Sequence, residues 1–248
     1  MLLDVFLWNG ETDMADLRVR TLRDHVDRMV AVSCNLTHQS DPAPQVAPPE
    51  GCEWLVVDAQ PIPEGRGGNG TPYYQWIERQ HRDGCIEAAA EYDAATIVMV
   101  SDVDEIPDPS TLDEIRTAAE REPVAVPMRM HGFALNYLYP LSWTGTTASR
   151  VDALAPQAHR SWRHRCPRVG DGWHLSWFGD LDEKRRKLRS FSHAELADLD
   201  VKDCFERGIH ANGERMTRLS ADVVRGLTWP APLFDGFDIP ASWWAPED

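Results

Sequence analysis

The sequence predicts an α/β protein with a mostly parallel central sheet flanked by helices. Apolar runs typical of strands alternate with helical patterns as far as residue 100. This alternation is typical of a parallel sheet whose strands are joined by right-handed crossovers. The chain has 248 residues, of which 42% are hydrophobic and 26% are charged. This length and composition suit one large globular domain.

The first half of the chain contains the most regular patterns. Residues 2–8 are apolar apart from Asp4 and are followed by an Asn-Gly pair, so they predict a strand and a turn. Thr12 is expected to cap the helix that follows. The remaining elements of this half are strands at 29–33, 53–57 and 96–100 and a helix at 73–92. The glycine-rich residues 61–72 between them predict a flexible loop, with a mobile lid as the alternative.

The pattern becomes less regular in the second half. Thr111 and Glu114 have the spacing of a capping box, which predicts a helix over residues 111–121. Further strands are predicted at 124–130 and 133–139, whereas residues 142–158 carry no clear pattern. Residues 211–248 are rich in proline near their end. We therefore expect a domain at 1–210 and an irregular C-terminal extension at 211–248, which wraps as an extended arm or is partly disordered.

Three carboxylates occur within four positions directly after the strand at 96–100. They are Asp102, Asp104 and Glu105, followed by Pro107. Open α/β sheets bind their ligands at the carboxyl ends of strands, and two aspartates two positions apart can converge on one hard cation. The pattern predicts a divalent metal at Asp102 and Asp104. The alternative is that the acids only cap the next helix, which Thr111 and Glu114 could do by themselves.

A basic region follows later in a chain whose net charge is −15. Nine Lys or Arg residues lie between positions 160 and 189, against four acids. Lys187 belongs to this region, which also contains Trp173 and His174 and is followed by His193. These histidines predict ligands for a metal or a phosphate, and Trp173, Trp177 and Phe178 predict stacking on a sugar. The alternatives are a solvated helix face for residues 184–189, structural histidines and a core tryptophan.

The composition excludes several classes of protein. A net charge of −15 argues against general nucleic-acid binding, which needs a basic face. No segment approaches the run of about 18 apolar residues that a membrane span requires, so we expect a cytoplasmic protein. The five cysteines are widely spaced and form no C-x-x-C pair, which predicts reduced thiols.

Taken together, these motifs resemble glycosyltransferase family 17, the β-1,4-mannosyl-glycoprotein N-acetylglucosaminyltransferase family. The resemblance covers residues 1–210, and its most specific parts are 101–107 (SDVDEIP) and 172–179 (GWHLSWFG), supported by 187–195. Weaker matches are Asn9, Glu11, Asp13 and Arg18 near the start and Glu78, Arg82 and Asp83 in the helix at 73–92. The chain departs from the family at 33–35, where Ser-Cys-Asn replaces the usual Glu-Ser-Asn.

The resemblance implies a GT-A-like fold and a metal-dependent, inverting transfer of a sugar, with N-acetylglucosamine as the sugar that the family name suggests. The donor half would be residues 1–107 and the acceptor or closing half 108–210. The implied partners are a nucleotide-sugar donor, with a UDP-sugar favoured, and a glycan, a glycoprotein or another hydroxyl acceptor. The implied site has Mn²⁺ or Mg²⁺ on Asp102, Asp104 and His174, a general base at Glu105 or Glu195, and donor-binding residues Asn9, Glu11, Arg18, Lys187, His193 and Trp173.

Two other functions compete with this interpretation. A strand followed by D-x-D also marks phosphohydrolases that use the first aspartate as a covalent nucleophile, which would here be Asp102 with Asp104 as acid and base. Such enzymes usually carry the motif near their amino terminus, whereas three strands precede it here. The ten tryptophans allow a non-catalytic carbohydrate-binding module, but the intact carboxylates argue against it.

Overall fold

A mixed sheet lies at the centre of the protein in the computed structural model, which describes residues 1–61, 73–190, 196 and 198–245. The described strands are β1 (Leu2–Leu7), β2 (Arg28–Cys34), β3 (Glu53–Val57), β4 (Ile97–Asp102), β5 (Glu105–Pro107), β6 (Val124–Gly132), β7 (Tyr137–Leu138), β8 (Trp143–Arg150), β9 (Gly172–Ser176) and β10 (Thr217–Arg218). They are ordered β10-β7-β6-β8-β4-β1-β2-β3, and β9 joins β6 to β5. The glycine-rich stretch lies largely outside the described residues.

Helices cover both faces of this sheet. They are α1 (Thr12–Leu22), α2 (Tyr73–Ala90), α3 (Leu112–Ala119), α4 (Ala158–Trp162), α5 (Leu181–Ser190), α6 (Val201–Arg207), α7 (Ala221–Gly226) and α8 (Ala231–Phe234). Single 3₁₀ turns are formed by Pro109–Thr111, Val151–Ala153 and Ala241–Trp243.

The predicted parallel sheet is present in the first half of the chain. β4, β1, β2 and β3 are neighbours and all pair in parallel. In β1, Phe6 packs with Leu17 of α1 on one face, and Val5 packs with Cys85 of α2 on the other. Because both faces are covered, every residue of β1 is buried, which explains the continuous apolar runs.

The second half makes the sheet mixed rather than mostly parallel. β8 pairs antiparallel with β4 on one side and with β6 on the other, so it continues the sheet beyond the parallel strands. Residues 142–158 therefore contain a central strand that the sequence did not reveal. Six of the eight residues of β8 are buried, but most are Thr, Ser, Gly or Ala and give no apolar run.

Residues 211–245 pack against the rest of the protein instead of forming a loose arm. Trp243 is 1% exposed and Leu233 is fully buried, and both belong to the cluster that contains α1. The backbone N–H of Leu135 donates to the carbonyl of Trp243 at 2.9 Å. The segment also includes α7 and the short helix α8. Prolines are tolerated in α8 because they lie at its start.

Two predicted helix caps are wrong. Glu11, not Thr12, occupies the N-cap position of α1, and no side chain caps it among the described residues. Thr111 occupies the N-cap position of α3, but its side chain makes no capping bond among the described residues. Pro109 opens a 3₁₀ turn two residues before Thr111, and Asp108 accepts a hydrogen bond from the N–H of Ser110. Thr111 Oγ1 instead donates to the carbonyl of Asp108. The proline sets this start because its fixed φ suits the first helical position.

Candidate active site

A cavity of about 500 Å³ opens at the carboxyl ends of the parallel strands. Asp102 is the last residue of β4 and Asp104 lies in the turn before β5. Both line this cavity together with His174 and Lys187. A smaller cavity of about 40 Å³ shares Asp104 and Lys187 with it and is lined in part by Trp243. The topology thus brings residues from both halves of the chain to one sheet edge.

Two arginines hold the side chain of Asp102. Arg82 Nη1 lies 2.9 Å from Oδ1 of Asp102, and Arg163 Nη2 lies 3.8 Å from Oδ2. Burial acts to raise the pKa of Asp102, but Arg82 and then Arg163 outweigh it and hold the pKa well below its usual range. Asp102 is therefore ionised and still 30% exposed to the cavity.

Asp104 lies between a lysine and a histidine. Lys187 Nζ is 2.9 Å from Oδ2, and His174 Nε2 is 3.5 Å from Oδ1. Burial acts to raise the pKa of Asp104, but the charge of Lys187, followed by His174, lowers it below its usual range. In return Asp104 raises the pKa of Lys187 against the opposing effect of burial. The site therefore contains a charged carboxylate with a cation beside it.

Strand β9 explains why His174 faces the cavity and Trp173 does not. Successive residues of a strand point to opposite faces. His174 lines the cavity, while Trp173 is 3% exposed, packs in the core and donates its Nε1–H to the carbonyl of Thr228 at 2.8 Å. The donor-binding role predicted for Trp173 is not supported, and Trp177 lines the cavity instead.

Glu105 lies beneath the cavity rather than in it. Its side chain is fully buried, forms an ion pair with Arg163, and accepts hydrogen bonds from Trp143 Nε1 at 2.8 Å and from the Asp102 N–H at 3.1 Å. With all of these partners it shapes the acidic turn. The geometry does not support Glu105 as a general base, because both of its carboxylate oxygens are already held by Arg163, Trp143 and the N–H of Asp102.

Arg18 also supports the turn from inside the core. It is fully buried and forms an ion pair with Asp4 at 2.6 Å. Its Nη1 donates to the carbonyl of Glu105 at 2.7 Å, and its Nη2 donates to Ser101 Oγ at 2.6 Å. The predicted contact between Arg18 and the donor is therefore not supported.

Asn9 and Glu11 follow the end of β1 and line both cavities. Glu11 accepts a hydrogen bond from the N–H of Asn9 at 3.1 Å. Burial raises the pKa of Glu11, and the nearby charge of Lys187 opposes this shift. These positions agree with donor binding, which stays a prediction. His193 and Glu195 lie outside the described residues.

Sequence reasoning missed several residues of the cavity wall. Glu78 and Arg82 were named only as part of the family resemblance, but their ion pair has the i, i+4 spacing of helix pairs and could have been predicted. Arg163 was counted only as one of many cations. His210 and Trp143 also line the cavity, but each is an isolated residue in the sequence and carried no signal.

The side chains of Asp104 and His174 fit a divalent metal better than the second cluster nearby. Carboxylate oxygen and imidazole nitrogen suit Mn²⁺, and His174 Nδ1 is buried with no hydrogen-bond partner among the described residues. Ligand atoms of Asp102, Glu105 and His159 also lie within 4.8 Å of one another. However, Arg163 contacts all three of those side chains, and Asp102 alone among them belongs to the described lining of the cavity.

Solved structures that are similar to this chain share little of its sequence. Similar solved structures include a nucleotide-diphospho-sugar transferase candidate from Desulfovibrio desulfuricans G20, with 9% identity, a TM-score of 0.40, and coverage of 80% of this chain and 95% of that chain. Another is 2-C-methyl-D-erythritol 4-phosphate cytidylyltransferase from Francisella tularensis, with 8% identity, a TM-score of 0.39, and coverage of 77% and 100%. No curated protein sequence matches the chain.

Among the described helices, none has both the length and the apolar character that crossing a bilayer requires.

The model of the family described as glycosyltransferase family 17 matches residues 1–204 of the 248. This match includes the acidic turn, β9 and Lys187. The chain therefore belongs to glycosyltransferase family 17.

Proposed function

We propose that this protein transfers a sugar from a nucleoside-diphosphate donor to a hydroxyl acceptor in a metal-dependent reaction. The observation that carries the proposal is the position of Asp104, with His174 Nε2 at 3.5 Å and Lys187 Nζ at 2.9 Å. All three side chains line the cavity of about 500 Å³, which is large enough for a small-molecule ligand. A carboxylate, an imidazole and an ammonium group placed together are suited to binding a diphosphate that carries a divalent metal.

Asp104 and His174 would hold Mn²⁺ or Mg²⁺. When bound, the metal supplies Lewis-acid stabilisation of the charge that develops on the leaving diphosphate. Lys187 acts as a second, fixed positive charge for phosphate oxygens. Because the protein carries a net charge of −15, a local cation is needed to attract an anionic donor.

Asp102 would orient the donor from the other side of the turn. Arg82 and Arg163 fix its carboxylate while leaving it 30% exposed. An ionised carboxylate in this position can accept hydrogen bonds from ribose hydroxyls or complete the metal shell through water. Asn9 and Glu11, which follow β1, would contact the nucleoside. A UDP-sugar is the favoured donor and N-acetylglucosamine the favoured sugar, because the resemblance described under Sequence analysis implies them.

The acceptor would be a glycan, a glycoprotein or another molecule with a free hydroxyl. Trp143 and Trp177 form part of the cavity wall, and aromatic rings of this kind can pack against the apolar face of a sugar. Attack from the side opposite the diphosphate would invert the anomeric carbon. His193 and Glu195 stay predicted members of the site.

The competing functions receive no specific support. Both carboxylate oxygens of Asp102 accept hydrogen bonds from Arg82, at 2.9 and 3.4 Å, which suits a positioned anion more than a covalent nucleophile. A binding module would not need the buried charges around Asp104.

Calorimetry with UDP and Mn²⁺ tests the proposal, followed by measurement of UDP release from UDP-N-acetylglucosamine. We expect binding that excess chelator abolishes, and a raised melting temperature with UDP and Mn²⁺ together. Asp104→Asn should lose both effects. Asp113→Asn is the matched control, since the Asp113 side chain is 93% exposed on α3. Phosphomonoester hydrolysis without UDP binding would overturn the proposal.

A further inference from the structure

His210 lies in a tight turn after α6, beyond residues 1–204 that match the family. Its N–H donates to the carbonyl of Glu214 at 2.8 Å, and its carbonyl accepts from the N–H of Gly213 at 2.8 Å. An antiparallel bridge between Ile209 and Arg215 closes the same turn. These bonds fix the backbone of His210 at the wall of the cavity of about 500 Å³.

A hydrogen-bond network sets the tautomer of the His210 ring. Asn212 Nδ2 donates to Tyr139 Oη at 2.6 Å, and Asn212 Oδ1 accepts from the N–H of Glu214 at 3.2 Å. Oδ1 also lies 3.0 Å from Nδ1 of His210, so Nδ1 carries the proton and Nε2 presents a lone pair. The N–H of Asn212 approaches Nδ1 at 3.5 Å, which is too weak to decide the tautomer.

Nε2 of His210 is a buried acceptor that no described residue satisfies. The rings of Phe133 and Tyr139 flank the imidazole, with centroids 6.0 and 5.2 Å away. Burial lowers the pKa of His210 to about 4, and His174 and Lys187 add to the shift while Asn212 opposes it. The ring is therefore neutral near pH 7. Because an unsatisfied buried acceptor destabilises a fold, its presence beside a cavity suggests that a ligand supplies the missing donor.

The carboxylates described in the cavity wall are less suitable for receiving a proton. Asp102, Asp104 and Glu78 each form an ion pair with a cation. Burial raises the pKa of Glu11, but this carboxylate already accepts a hydrogen bond from the N–H of Asn9 and is attracted to the charge of Lys187. His210 is instead a neutral base whose lone pair has no partner among the described residues.

We propose that His210 is a catalytic residue, which accepts the hydrogen bond of the acceptor hydroxyl through Nε2 and takes its proton during transfer. The bond from the acceptor oxygen to the anomeric carbon forms as the bond from that carbon to the diphosphate oxygen breaks. The hydroxyl proton moves to Nε2, and the nucleoside diphosphate leaves with the electron pair. This inference rests on the proposed function and adds the residue that activates the acceptor.

Two measurements on His210→Gln test this role. The first is calorimetry with UDP and Mn²⁺, and the second is the rate of UDP release from UDP-N-acetylglucosamine, with water or a panel of p-nitrophenyl glycosides as the acceptor. We expect an unchanged UDP affinity, within about threefold, and a turnover that falls by about 100-fold or more, as general bases contribute about 10²–10⁴-fold. A group that only supported the fold would not separate these two readouts.

His131→Gln is the matched control. His131 is also buried, also has its Nδ1 within 2.8 Å of a carbonyl, that of Leu135, and also has an Nε2 without a described partner. It packs against Trp229 in the core and does not belong to the described lining of the cavity. We expect its turnover to stay within about threefold of wild type at a temperature where the variant is folded.

Asn212→Ala provides a second variant if His210→Gln does not fold, since Asn212 is exposed. Without Oδ1 of Asn212, the proton of His210 is no longer fixed on Nδ1. Turnover should therefore fall by about tenfold, while UDP affinity is retained. The role of His210 would be overturned if turnover of His210→Gln stayed within threefold of wild type, or if UDP affinity fell by the same factor as turnover. Where His210→Gln does not fold, either result for Asn212→Ala would overturn the role. Failure of the wild-type protein to bind UDP with Mn²⁺ would instead overturn the proposed function.

Discussion

Arg18 and Asp4 form a fully buried ion pair between α1 and β1, with Nη2 of the arginine 2.6 Å from Oδ1 of the aspartate. The same guanidinium holds the backbone of the acidic turn through the carbonyl of Glu105. Core packing and the geometry of the site therefore depend on one side chain.

We expect Arg18→Met to lower the free energy of unfolding by about 3–5 kcal/mol, because it leaves the Asp4 carboxylate buried without its cation. Urea denaturation measures this loss. Arg20→Met on the same helix is the control, since Arg20 pairs with Asp16 at the surface and such pairs contribute about 0–1 kcal/mol. Equal losses in the two variants would contradict the role assigned to Arg18.

Glu105→Gln separates support of the turn from general-base catalysis. The change leaves Arg163 without its full counter-charge in the core, and we expect the free energy of unfolding to fall by about 3 kcal/mol. Turnover should fall by less than the roughly 10²–10⁴-fold that loss of a general base causes. Denaturation and UDP release measured on the same preparation decide between the roles, and a stable but inactive variant would restore Glu105 as the base.

Lys187→Met should weaken donor binding, because it removes the fixed positive charge beside Asp104. A charge-assisted hydrogen bond contributes about 1.5–3 kcal/mol, so we expect UDP affinity with Mn²⁺ to fall by about 10–100-fold in calorimetry. Lys202→Met is the control, since the Lys202 side chain is 59% exposed on α6. An unchanged affinity in Lys187→Met would remove Lys187 from the donor site.

His81 should make stability depend on pH in the mildly acidic range. Burial, followed by the neighbouring His38, lowers the pKa of His81 to about 3, while a bond to the carbonyl of Val32 opposes this. The unfolded chain therefore binds more protons, and the contribution of neutral His81 is complete above about pH 6.5. It is lost at about 1.4 kcal/mol per pH unit as the pH falls from about 6.5 toward 3.

Urea denaturation between pH 4.5 and 7 tests this dependence, with His81→Gln compared against His25→Gln, whose histidine is exposed. The His81 variant should lose stability less steeply on acidification than wild type, whereas the His25 variant should follow wild type. Parallel curves for all three proteins would contradict the effect assigned to His81.

The parallel half of the fold could be predicted because its strands are buried on both faces and consist of continuous apolar residues, as in β1 and β4. β8 could not be predicted, because close packing between two strands favours small and hydroxyl residues there. At Gly145 an added Cβ would lie 2.5 Å from Met128 Sδ. Local patterns of hydrophobicity do not record such a constraint.

The candidate site shows the same division. Asp102 and Asp104 were identifiable because a strand pattern ends at them, and the basic region containing Lys187 stood out against an acidic chain. The sequence did not reveal whether a side chain reaches the cavity or stays buried beneath it. Arg18, Trp173 and Glu105 are of residue types common in binding sites, but here they support the site from the core. His210 carried no signal because its role depends on Asn212 and Tyr139, which only the folded chain brings together.

The packing of Trp243 has a consequence for synthesis of the protein. Its indole lines the small cavity next to Asp104, its carbonyl accepts a hydrogen bond from the N–H of Leu135, and it packs in the apolar cluster that contains α1. The ribosome makes α1 long before it makes Trp243, so a nascent chain that contains the helix but lacks this residue leaves part of that apolar cluster open to solvent. A truncation before residue 243 would likewise leave a binding cleft without one part of its wall.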